Sequence, residues 1–101
     1  MILIKAQMTI KTEARDHFLQ AMTAFAQTSQ DEPGCLSFAC YEDVTASNAF
    51  IVLEEWQDRA SFEQHEASGH LGTFKAQVGW MIVSREATRV YAIDTVGGLP
   101  G

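Results

Sequence analysis

The sequence lacks any cluster of lysine or arginine. Its 7 basic residues are scattered and outnumbered by 13 acids, for a net charge of −6. Such a surface repels phosphate backbones and anionic lipid, which sets nucleic acid and membrane surfaces aside as partners. No apolar run approaches the roughly 20 residues that cross a bilayer. Met1–Ile10 is apolar but has no basic stretch before it and no small-residue cleavage site after it, so it reads as a strand and not as an export signal. Cysteine is scarce, with only Cys35 and Cys40. Their odd separation along one strand predicts opposite faces and no mutual disulfide. Free thiols suit a reducing compartment, so the expected location is the cytoplasm. Also missing are GxSxG, HExxH, CxxC and the glycine-rich loops that cradle phosphates or dinucleotides. The glycines of GWMIVSR and VGGLPG have none of the required spacings.

What is present is an ordinary globular balance: 101 residues, 47% hydrophobic and 20% charged. That suits one domain, expected over residues 2–94, with a loose tail over 95–101. Ile2, Ile4, Ala6, Met8 and Ile10 alternate with polar residues, the pattern of a half-buried strand. Thr12 is placed to cap a helix, with Glu13 in its first turn. Phe18, Met22, Phe25 and Ala26 then recur at helical spacing to about Gln30, where Asp31–Gly34 stops the helix. Cys35–Tyr41 reads as a second strand. Ala49–Trp56 reads as a third, apolar on both faces and therefore central. Asp58 caps a second helix, which carries Phe62, His65 and Glu66 and breaks at Gly69. Leu71, Phe74, Val78 and Ile82 predict a further helix from about His70 to Val83. Glu86–Asp94 alternates as a last strand.

This order of strand, helix, strand, strand, broken helix, strand is that of a ferredoxin-like α+β domain. It places the helices on one face of a four-stranded antiparallel sheet. Leu3, Ile51 and Leu53 on the other face need cover. A homodimer packed through the sheet face would supply it.

The candidate chemistry is concentrated in EEWQDRASFEQHEASGH, Glu54–His70, which holds two of the three histidines. Glu54 shares a strand face with Phe50, Val52 and Trp56, where an acid must be paired, exposed at a rim or functional. His65 lies on the helix side of Phe62, toward the sheet. His70 opens a helix, whose positive end keeps the imidazole neutral and able to accept a proton. The five-residue gap between His65 and His70 does not fit two ligands on one helix face, so no metal site is expected. His17 reads as solvated, Trp56 and Trp80 as packing residues, and the cysteines as structural thiols with no basic neighbour.

With these residues in place, the chain resembles the antibiotic biosynthesis monooxygenase family, and within it the quinol monooxygenase branch. The resemblance rests on the turn Glu32-Pro33-Gly34-Cys35, on an apolar strand ending in Glu54-Glu55-Trp56, and on the following Phe62, His65 and His70. It runs from about Ile2 to Asp94. The resemblance implies a dimeric α/β barrel and a cofactor-free oxygenase that uses neither flavin nor metal. The substrate implied is a hydroquinone or polyphenol whose deprotonated form passes an electron to dioxygen. Carried over by position, His65 and His70 are the candidate base and orienting residue, and Glu54 holds one of them. Trp56, Phe62, Phe74 and Met8 would line the cavity. Haem-degrading relatives are disfavoured: the first strand has Gln7 and Met8 where they use asparagine, and Lys75 stands near their haem-ligand position. Two alternatives stay open. One is an isomerase or processing enzyme for a small signalling metabolite, for which Lys75, Arg85 and Arg89 are the available cations. The other is a ligand-binding dimer without chemistry.

Overall fold

The computed structural model describes residues 1–91. Four strands, β1 (Ile2–Ile10), β2 (Cys35–Glu42), β3 (Ala49–Trp56) and β4 (Ile82–Tyr91), form one antiparallel sheet in the order β2-β3-β1-β4. Three helices, α1 (Arg15–Gln30), α2 (Arg59–Glu66) and α3 (Gly69–Val78), complete the ferredoxin-like α+β fold. No helix among the described residues is long and apolar enough to cross a membrane. The expected tail and residues 92–94 of the predicted last strand lie outside the described residues.

The two periodicities meet in one core. On β1 the even-numbered residues, Ile2 to Ile10, are buried, and on β3 Phe50, Val52, Glu54 and Trp56. On α1 Phe18, Met22, Phe25 and Ser29 form one buried stripe at helical spacing. As expected, β3 is an inner strand, and the odd-numbered Ile51 and Leu53 on its other face are half-buried.

Four local expectations are corrected. Thr12 caps no helix: residues 12–14 form a single 3₁₀ turn, and the Thr12 hydroxyl accepts from Asn48 Nδ2 at 2.9 Å. The break between α2 and α3 falls at Ala67–Ser68. Ser68 caps α3 by accepting from Leu71 N, while Gly69 is already helical. The third helix stops at Val78, well short of Val83. A 3₁₀ turn, Gly79–Met81, follows, and the β-branched Ile82 starts β4 opposite Ile10. Lys11 N bonds Met81 O at 2.8 Å, so pairing with β1 claims the chain that helical spacing alone would have continued. Trp80 is not a packing residue: it is exposed, with Lys11 Nζ over its ring.

The cysteines are also rearranged. A register shift between Cys35 and Ser37 places Cys35 opposite Trp56 and Cys40 opposite Val52. Trp56 and Val52 share the core face of β3, so both thiols point to the core and parity along β2 misleads. Both are free. They lie opposite β3 positions four residues apart, about 13 Å, too far for a disulfide.

Candidate functional site

Between the core face of the sheet and the helices lies a cavity of about 300 Å³. Its wall is apolar and aromatic, with Met8, Phe25, Phe38, Phe62 and Phe74 among its members. His65, Glu54, Glu66, Lys75 and Arg85 are its polar groups. Volume and lining suit a small aromatic molecule.

His65 and its partner Glu32 each arrive by a local rule. Asp58 accepts from Ser61 N at 2.8 Å and starts α2, which turns Phe62 and His65 toward the sheet, both buried. His65 sits among Phe25, Phe38 and Trp56, with the Trp56 ring 4.6 Å away between centroids. Glu32 comes from the turn after α1. Gly34 takes φ +83° there, a conformation L-residues avoid, and its carbonyl accepts from Gln57 N at 2.8 Å. That bond ties the turn to the end of β3 and delivers Glu32 beside His65.

The result is a chain of polar contacts. Glu32 Oε2 accepts from His65 Nδ1 at 2.8 Å. His65 Nε2 lies 3.5 Å from Glu54 Oε1, which also accepts from Trp56 Nε1 at 3.0 Å. His70 Nε2 lies 2.7 Å from Glu32 Oε1, but the geometry is not that of a hydrogen bond, so Oε1 has no donor among the described residues. The same His70 nitrogen is 3.4 Å from Ser29 Oγ. Phe25 stacks on Phe74 at 4.1 Å and packs against both histidine rings.

Burial sets the protonation states. It pushes the His65 imidazole below its usual 6.5, against the pull of the Glu32 carboxylate. The ring is therefore neutral near pH 7. With Nδ1–H donated to Glu32, Nε2 is its free acceptor. Burial also raises the Glu54 carboxyl from 4.5 to about 7, with the Trp56 N–H offsetting part of the cost.

Of the expected site residues, Met8, Glu54, Phe62, His65 and Phe74 converge on the cavity. Trp56 does not: it is completely buried behind the wall and reaches the site through its bond to Glu54. His70 also stays out of the wall and meets Glu32 instead. The nearer holder of His65 is Glu32, from the Glu32-Pro33-Gly34-Cys35 turn, and not Glu54. A turn glycine in that motif was the available signal. The sequence marks Phe25 only as helix core, since nothing in its spacing sets it apart as a wall residue. The helix break also removes the spacing objection to a metal: Glu32, His65 and His70 each offer one atom within 4.8 Å of the others, a set a divalent cation could use.

A family profile described as antibiotic biosynthesis monooxygenase matches residues 1–77. YcnE of Bacillus subtilis, which carries a provisional monooxygenase name, is 32% identical over 77 residues, 76% of this chain and 81% of that protein. The uncharacterized protein sll1783 of Synechocystis is 26% identical over 92 residues, 91% of this chain; the match spans only 63% of its length. Among solved structures, a Deinococcus radiodurans protein provisionally named as an antibiotic biosynthesis monooxygenase superposes with a TM-score of 0.91. It is 19% identical and covers 99% of this chain and 100% of its own. Rv0793 of Mycobacterium tuberculosis superposes with a TM-score of 0.86 at 22% identity, covering 95% and 98%.

Proposed function

The chain belongs to the antibiotic biosynthesis monooxygenase family, and from that premise we propose a cofactor-independent monooxygenase that oxidises a hydroquinone or polyphenol with dioxygen. The observation that carries the reading is His65: a buried, neutral imidazole in an aromatic cavity, with Nδ1 tied to Glu32. Its Nε2 accepts the phenol proton, and the Glu32 carboxylate stabilises the imidazolium that forms. The phenolate gives one electron to dioxygen, and the resulting radical pair joins as a ring peroxide, which takes the proton back from the His65 imidazolium to become a hydroperoxide. Loss of water leaves a hydroxylated quinone, with one oxygen atom in the product and one in water. The dry aromatic wall protects the intermediates from solvent. Glu32 and Glu54 act as positioning residues, and His70 acts through Glu32.

The assembly in this reading is a cytoplasmic homodimer. Its support is the outer sheet face, where Leu3, Ala39, Ile51 and Leu53 are only half-buried and Tyr41 is 56% exposed. An apolar patch of this kind, set among Lys5, Gln7 and Glu55, suits a partner, and a second copy offers the matching surface.

Oxygen uptake with a panel of hydroquinones tests the activity, comparing the protein, His65→Ala and a protein-free blank. Uptake above the blank that falls at least about 100-fold in folded His65→Ala supports the base assignment. Uptake equal in protein and blank across the panel rejects the oxygenase reading.

A further inference from the structure

We propose that Lys75 and Arg85 form an anion subsite at the cavity, and that the molecule it takes is a small aromatic acid. The inference rests on the reading above for the aromatic ring and adds the acid group from the distribution of charge. This chain carries only 7 basic residues against 13 acids, yet two of the 7 line one cavity of about 300 Å³. They come from different elements, Lys75 from α3 and Arg85 from β4, so the pairing is not a repeat along one surface. Arg85 opposes the buried Met8 in the β1–β4 register, which puts it on the face of the strand that holds the core.

Neither cation has a carboxylate in salt-bridge contact among the described residues. The ion pairs there join Arg15 to Glu42 and the histidines to Glu32 and Glu54. Two acids share the wall. Glu54 is buried, and its carboxyl contacts His65 and Trp56; Arg85 acts on it only through space, without a salt bridge. Glu66 is exposed on α2. The protein as a whole repels anions, so an acid is favoured only where cations are gathered locally. The aromatic wall holds the ring, and the two cations hold the carboxylate.

A redox-inert ligand pair tests this without relying on turnover. Isothermal titration calorimetry compares 2-naphthoate with its neutral isostere 2-naphthamide on the full-length protein. The acid is expected to bind about fivefold tighter, the upper range for a solvent-screened ion pair. Raising the salt to about 0.5 M shrinks the preference, because exposed charges are screened. In Lys75→Gln/Arg85→Gln the preference disappears and the amide binds as before. Both residues are exposed, so the variant keeps its core. Equal affinity for acid and amide, undetectable binding of the acid at millimolar concentration, or a preference that survives in the double variant overturns the proposal. Neither ligand has an oxidisable phenol, so the outcome stands apart from oxygen uptake: a preference for the acid without uptake would reject only the oxygenase reading.

Discussion

Replacing Glu54 by Gln should change how stability depends on pH. Gln keeps the volume and an oxygen to accept the Trp56 N–H, so the change is chiefly the loss of a titrating group. In the fold, burial raises the Glu54 carboxyl from 4.5 to about 7. Between those values the folded protein holds a proton that the unfolded chain has lost. Stability from this group is therefore full below about pH 4.5 and falls as pH rises through 7. At roughly 1.4 kcal/mol per pH unit, the loss by pH 8 is about 3 kcal/mol. His65 works the other way. Its folded value is depressed, so its contribution is present above 6.5 and lost as pH falls. Wild type and Glu54→Gln share His65, and the two side chains lie 3.5 Å apart, so the difference between them reads Glu54 together with its effect on His65. Urea unfolding of both at pH 5 and pH 8 should show the variant gaining on wild type by about 2–3 kcal/mol at the higher pH. In a domain of this size that corresponds to about 10–20 °C in Tm. Stability curves that run parallel within about 0.5 kcal/mol from pH 5 to pH 8 would refute the buried-carboxyl argument.

Four further outcomes follow from the geometry. Gly34→Ala should cost about 2 kcal/mol or more in urea unfolding. Its φ is left-handed, and an added Cβ would overlap Ser61 Oγ and sit 2.5 Å from Ser61 Cβ. Gly72→Ala in α3 meets no atom within 4 Å and should stabilise by about 0.5–1 kcal/mol, so equal effects at the two sites would contradict both assignments. Leu53→Glu puts a charge on the half-buried outer sheet face and should convert the proposed dimer to the 11.2 kDa monomer in light scattering, with circular dichroism unchanged; a mass that does not move would exclude this face as the interface. Burial raises the Cys40 thiol to about 11, so it should react with a disulfide reagent at pH 7.5 far more slowly in the native protein than in urea. Rapid native labelling at Cys40 would refute its burial.

How much of this the sequence decides depends on the range of the forces involved. Alternation on β1, the doubly apolar β3, the α1 stripe and the Asp58 cap are local patterns, and each stands where the sequence places it. Their order alone gives the ferredoxin-like α+β fold. His65 was legible as well, because its three-residue spacing from Phe62 turns it inward. The misses needed contacts between distant segments. The helix ends at Val78 because β1 pairs with the next stretch, and that competition does not register in helical spacing. Both thiols face the core because one register shift in β2 overrides parity. Glu32 becomes the holder of His65 across 33 residues of chain, through a turn locked by Gly34 and tied to β3. Trp56 fits any aromatic-wall reading of the sequence, yet packing puts it behind the wall. The chain by itself determines which elements form and which faces they bury, since those depend on neighbours a few residues away. Tertiary structure alone decides which acid meets which histidine, because that geometry exists only once α1, α2 and the sheet have closed around the cavity.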